Sequence, residues 1–164
     1  MDEGADEIVQ GEAALIEQYF APLTEGDPGA FSLTDDCALL RPPAGKDLVL
    51  TTDSLVEGIH FLVGDVPGFK AVAVNVSDLV AKGAEPLGYL LTLALTETPT
   101  RKFMTKLTAG LAAAQAVFGC HLLGGDTDKT GGPLTLTVTA IGALPTGTMV
   151  RRAGAATGDI VYIS

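Results

Sequence analysis

The chain has 164 residues, a length that suits one ordinary domain, and 47% of them are apolar, so a hydrophobic core can form. Acids outnumber bases twenty to ten, for a formal net charge of −10. That balance argues against a broad nucleic-acid surface, which needs clustered Lys and Arg, but not against a polyphosphate carried with divalent metals. No uninterrupted apolar run approaches the roughly 18 residues of a membrane span, and the acidic start Met1-Asp2-Glu3-Gly4 lacks the regions of a signal peptide. The expectation is a cytoplasmic protein with neither nucleic-acid nor membrane partners, in which Cys37 and Cys120 are buried, reduced thiols.

Residues 11–20 place Leu15, Ile16, Tyr19 and Phe20 at helical spacing and read as a short amphipathic helix. Pro22 and the stretch Gly26-Asp27-Pro28-Gly29 then break the chain into a loop. Residues 37–41 and 47–53 read as strands, separated by the turn signal Pro42-Pro43-Ala44-Gly45. After Val66-Pro67-Gly68 a helix is expected from Phe69 to Lys82, ended by Gly83. Leu87 to Leu95 reads as a buried strand. Thr98-Pro99-Thr100 starts a helix that runs to Phe118 and stops at Gly119. A short strand follows at 121–124. A half-buried strand spans 134–143, where apolar residues alternate with Thr, and another strand begins at 159–164. This order implies an α/β or α+β domain with helices on one face of a sheet. The last four residues, Val161-Tyr162-Ile163-Ser164, fall inside an apparent strand, so the chain is expected to be part of a longer protein.

Four acidic sites abut apolar segments. Asp35-Asp36 precedes Cys37-Ala38-Leu39-Leu40, and Asp53 ends Leu48-Val49-Leu50-Thr51-Thr52. Asp78 lies in a helix among Val74, Val76, Leu79 and Val80, and Asp126 follows Leu122-Leu123-Gly124-Gly125. An ionised carboxylate beside buried surface needs a partner, and Lys and Arg are absent from 47–69 and 107–128. Mg2+ held by Asp oxygens, with Thr51 and Thr52 alongside, is the economical answer. Paired glycines before Asp126 let a phosphate or metal approach the backbone. The bland alternatives stand beside this reading. A strand-end Asp is a common cap or turn former, Asp126 can make an Asx-turn, and Asp78 can pair with Lys82 one turn on.

Other chemistries lack their residues. With His60 and His121 as the two histidines and no paired cysteines, zinc is unsupported. There is no GxxxxGK[ST] loop, no kinase-type glycine-rich loop and no G-x-S-x-G. His60, in Glu57-Gly58-Ile59-His60-Phe61, reads by itself as a loop or partly packed residue.

Five stretches, in order, resemble thiamine-monophosphate kinases: Leu33-Thr34-Asp35-Asp36-Cys37-Ala38-Leu39-Leu40; Thr51-Thr52-Asp53-Ser54-Leu55-Val56-Glu57-Gly58-Ile59-His60-Phe61; Ala73-Val74-Asn75-Val76-Ser77-Asp78-Leu79 followed by Gly83-Ala84-Glu85-Pro86; Leu123-Gly124-Gly125-Asp126-Thr127; and Arg152-Ala153-Gly154-Ala155 through Gly158-Asp159. The second stretch separates this branch from the related aminoimidazole-ribonucleotide and selenophosphate synthetases. The resemblance implies a mixed α/β domain, of the amino-terminal type of the aminoimidazole-ribonucleotide synthetase superfamily. It implies a homodimer formed through the sheet, with ATP in the cleft between subunits. Asp36, Thr51, Thr52, Asp53, Asp78 and Asp126 would hold several Mg2+ ions, Gly125, Asp126 and Arg152 would contact ATP, and His60 would touch thiamine monophosphate. The family usually has Gly-Asp-Asp where this chain has Thr34-Asp35-Asp36. Family members also carry a second domain, so residues 1–148 would be the ATP- and metal-binding domain and 149–164 the start of the next.

The implied reaction moves the γ-phosphoryl group of ATP onto the phosphate of thiamine monophosphate. That acceptor is already anionic and needs no strong base; Mg2+ would offset the repulsion between polyanions. Asp53, Asp78 and Asp126 are then expected to converge on one site, with Asp36 nearby. Three rivals use the same residues: a nucleotide- and metal-binding dimerisation module without turnover, a related ATP-dependent synthetase of the same superfamily, and a metal-dependent phosphohydrolase.

Overall fold

In a computed structural model, which describes residues 6–161, four strands form one mixed sheet whose one face is covered by two long helices. The elements are α1 (Glu12–Leu15), β1 (Lys46–Val56), α2 (Gly68–Ala81), β2 (Glu85–Leu95), α3 (Arg101–Phe118), β3 (His121–Lys129) and β4 (Thr135–Pro145). The strand order is β1-β4-β2-β3, with β4 antiparallel to both neighbours and β2 parallel to β3. This matches the expected α/β class with helices on one face.

Register fixes which side chains share a face, because directly paired residues point the same way. Val138 pairs with Leu91, and Leu136 with Leu93 and Leu55; these side chains form the covered face and are buried. Thr137 pairs with Ser54 and Thr92, and Thr139 with Thr52 and Leu90; these lie on the opposite, open face.

Helix α2 turns Ala71, Val72, Val76 and Leu79 inward, and the chain reverses just beyond it at Gly83, whose φ is 79°. Helix α3 starts where the Thr100 hydroxyl accepts the Phe103 N–H at 3.2 Å and stops at Gly119, φ 66°. Its Met104, Leu107, Leu111 and Ala114 are fully buried. The two helices cross at a pair of glycines. A methyl group on Gly110 would sit 2.9 Å from the Phe69 nitrogen, and one on Gly68 would run into the Leu107 carbonyl.

Four expectations need correction. The helix at 11–20 is only one α-turn, followed by a π-turn (Ile16–Phe20) and a 3-10 turn (Ala21–Thr24) at Pro22. Residues 37–41 form no strand; Pro42 and Pro43 remove two donors, and the segment is tied by a Leu39 N–H to Gly29 carbonyl bond of 2.8 Å. The short strand at 121–124 runs on to Lys129, through Gly-Gly-Asp. Of the strand expected at 159–164, residues 159–161 are not in a strand and the rest lie outside the described residues. Among the described residues no helix is long and apolar enough to cross a membrane.

Candidate functional site

The amino-terminal segment folds over the open face of β2 and β3 and encloses a cavity of about 880 Å³. Its floor includes Thr92 and Thr139; Asp35, Asp36 and Cys37 lie on one wall and Gly124, Gly125 and Asp126 on another. Asp126 reaches this face because it pairs with Thr92. Gly125 pairs with Leu91 and points the other way; a methyl group there would meet the Leu91 carbonyl oxygen. Its missing side chain therefore lets β3 lie close against β2. Gly124 is less constrained, since a methyl group would make an ordinary 3.5 Å contact with Leu90.

A second group sits at the other edge of the sheet, on the covered face. The Thr51 hydroxyl donates to Asp78 Oδ2 at 3.2 Å, joining β1 to α2. Asp53, two residues along β1, shares that face by its pairing with Val138. Thr52 points to the open face, where its hydroxyl donates to the Val138 carbonyl at 3.1 Å and accepts from Thr139 at 3.0 Å.

The four aspartates do not converge within one chain. Asp126 is on the open face of edge strand β3, whereas Asp53 and Asp78 are on the covered face at edge strand β1. Three strand spacings, about 14 Å, separate these edges. Among the described residues no group of three or more His, Cys, Asp or Glu is placed to hold a metal. The burial argument also fails. Asp36, Asp53, Asp78 and Asp126 are all exposed: Asp36 on an irregular segment, Asp53 and Asp126 on edge strands, and Asp78 where α2 meets the β1 edge. None of them makes an ion pair among the described residues, so Asp78 is not matched with Lys82.

These oxygens still suit one metal. Mg2+ retains several waters and takes one or two carboxylates plus substrate phosphates, not an all-protein cage. Asp36 and Asp126 among the cavity's carboxylates, and Asp53 and Asp78 with the Thr51 hydroxyl at the β1 edge, form donor sets of that incomplete kind.

His60 lines a separate, shallower pocket of about 600 Å³ with Phe61, Asp65 and Lys70. Its Nδ1 accepts the Val56 N–H at 3.0 Å, which leaves Nε2 to carry the proton of the neutral ring. The Lys70 ammonium donates to the His60 carbonyl. The sequence did not single out Asp65 and Lys70 as pocket residues, because an Asp after Gly64 in a loop and a Lys on an exposed first helix turn are ordinary. Arg152 is exposed in a stretch without regular structure and does not line the cavity. Of the two thiols expected to be buried, Cys120 is and Cys37 is not. Burial, helped by the charge of Glu25, pushes the Cys120 thiol up to about 11.

Residues 34–144 match the family model described as AIR synthase related protein, N-terminal domain. The chain is 42% identical to thiamine-monophosphate kinase of Caulobacter vibrioides over 91% of its own length and 43% of that protein's. Thiamine-monophosphate kinase from Stenotrophomonas maltophilia superposes with a TM-score of 0.69 at 41% identity, covering 77% of this chain and 40% of that one. "AaThiL complexed with AMPPCP and TMP" superposes with a TM-score of 0.63 at 32% identity, covering 89% and 45%. The chain thus spans less than half the length of the curated relatives it matches. A fold of four mixed strands under two helices, and a match over residues 34–144, place this chain in the family of AIR synthase related protein N-terminal domains.

Proposed function

We propose that this chain is the ATP-binding portion of a cytoplasmic enzyme that phosphorylates thiamine monophosphate to thiamine diphosphate. One observation carries the reading: the open-face cavity brings Asp36 to the same space as Gly125 and Asp126. Its volume of about 880 Å³ is that of a small-molecule site. The relative complexed with AMPPCP, an ATP analogue, and TMP supports the choice of ligands.

In this proposal Asp36 and Asp126 hold Mg2+ with the ATP phosphates in the cavity, and Thr51, Asp53 and Asp78 hold Mg2+ at the β1 edge. Bound Mg2+ would neutralise charge on the two polyanions and on the transferring phosphoryl group. The chain's own residues supply fixed oxygens and no general base, in keeping with an acceptor phosphate that is already ionised. His60 presents its Nε2–H towards thiamine monophosphate in the pocket it shares with Asp65 and Lys70, and Arg152 approaches ATP from the segment that begins the next domain. The proposed domains are 1–148 and 149–164.

A homodimer through the open face completes the proposal. That face exposes Leu50 and Leu90 among a ladder of Thr and Ser hydroxyls. The two carboxylate groups lie on opposite faces of one chain, and in this proposal one ATP meets the cavity group of one subunit and, round the β1 edge, the Asp53 and Asp78 group of the other. Because the chain spans 43–48% of the length of these relatives, a second reading applies to it in isolation: it binds nucleotide and dimerises without turnover. Thiamine diphosphate formation and phosphate release, measured with this chain and with the full-length protein, test both. Product from the full-length protein alone supports both readings. Phosphate release without thiamine diphosphate would contradict the kinase.

A further inference from the structure

The segment carrying Asp35 and Asp36 belongs to no strand, so something other than a ladder must fix it over β3. The three residues before Thr34 resist their own conformation: Phe31, Ser32 and Leu33 have φ of 48°, 53° and 58°, left-handed values disfavoured for residues with a Cβ. Asp27 supplies the restraint. Its Oδ1 accepts the Gly29 N–H at 2.6 Å, and its Oδ2 lies 2.8 Å from Nε2 of His121, the first residue of β3. Gly29 in turn bonds Leu39 beyond the acidic pair, and it has no side chain because the Leu39 carbonyl occupies that place. A continuous path, His121 to Asp27 to Gly29 to Leu39, therefore brackets Asp35 and Asp36. It starts three residues before Gly124. The His121 and Asp27 side chains are largely shielded, at 24% and 28% exposed. Nothing in the β2–β3 pairing itself calls for a histidine at this position.

We propose that Asp27 and His121 are positioning residues for the nucleotide site: one carboxylate, shared between the loop and β3, sets the gap between Asp36 and Asp126. This inference rests on the ATP- and Mg2+-binding reading above. Neither residue touches the ligand. His121 donates through Nε2–H to the Asp27 carboxylate, and the bond holds the loop in register with β3.

The test uses the full-length protein with His121→Ala, His121→Gln, Asp27→Ala and the double alanine variant. Mg2+-dependent AMPPCP affinity is measured by calorimetry, and amide exchange is followed at Leu39 and at Leu93 in the core of β2. His121→Ala should weaken AMPPCP about tenfold, the scale of one hydrogen bond to a charged group, and speed exchange at Leu39 but not Leu93. His121→Gln, whose amide can donate at similar reach, should bind within about threefold of wild type, and the double variant should be no worse than the weaker single one. AMPPCP affinity unchanged in His121→Ala, no rescue by Gln, or faster exchange at Leu93 as well would each overturn the proposal. A wild-type protein that binds no AMPPCP with Mg2+ would instead remove the nucleotide reading, and this inference with it.

Discussion

Cys37 is exposed on the cavity wall next to Asp36, so it reports on what enters the cavity. At pH 8 an alkylating reagent should label Cys37 far faster than Cys120. The Cys120 thiol is buried, and that burial pushes it up to about 11, so far less of it is thiolate at this pH. Mg-ATP should slow labelling of Cys37, whereas ATP with a chelator should not; equal rates in both would place the nucleotide elsewhere. Cys120 also links stability to pH. The folded protein holds its proton more tightly than the unfolded chain does, so this contribution is intact below pH 9 and is lost as pH rises through about 11. Tyr89, buried and bonded to Gln115 at 2.9 Å, is shifted upward by burial and adds to the same alkaline loss. Urea midpoints between pH 9 and 11 should therefore fall less in Cys120→Ala than in wild type, and parallel falls would contradict this.

At the scale of elements, the crossing of α2 and α3 sets two effects against each other. Replacing Gly110 by Ala should favour an exposed helix by about 1 kcal/mol. Here the added methyl would sit 2.9 Å from the Phe69 nitrogen, against backbone that cannot step aside without moving α2. Overpacking of this kind costs about 1–3 kcal/mol, so net destabilisation is expected by chemical denaturation; a more stable Gly110→Ala protein would show that the crossing gives way. The helices were legible in the sequence because their apolar periodicity, the Thr100 cap and the glycines at 83 and 119 all agree. The central strands were legible because β2 and β4 are apolar or cleanly alternating. The outer half of β3 was not. Gly124-Gly125-Asp126 reads as a loop, and only the backbone of β2 against Gly125 makes it a strand. The expected strand at 37–41 failed for the converse reason: its apolar residues line a cavity wall, and two prolines follow them. Candidate site residues could be named from the sequence, but not their arrangement. Local sequence shows that Asp53 ends an apolar run. It does not reveal that Asp53 and Asp126 occupy opposite faces, since that depends on strand order and register.

For the whole molecule, the proposed homodimer would bring together two incomplete donor sets that one chain keeps apart. Beside the cavity, exposed Leu50 with Thr52, Ser54 and Thr137 gives the rest of that face the mixed apolar and hydroxyl character of a sheet that packs on another sheet. The most direct measurement is complementation in the full-length protein between Asp78→Asn and Asp126→Asn. Each homodimer should be inactive in thiamine diphosphate formation, because both of its sites lack a ligand. When the two variants are unfolded together and refolded as an equal mixture, half the dimers should be mixed, and each mixed dimer should have one intact site. Activity should then return to about one quarter of wild type. No recovery, with mixed dimers shown to have formed, would mean that Asp78 and Asp126 serve the same site from one chain, and would contradict the account.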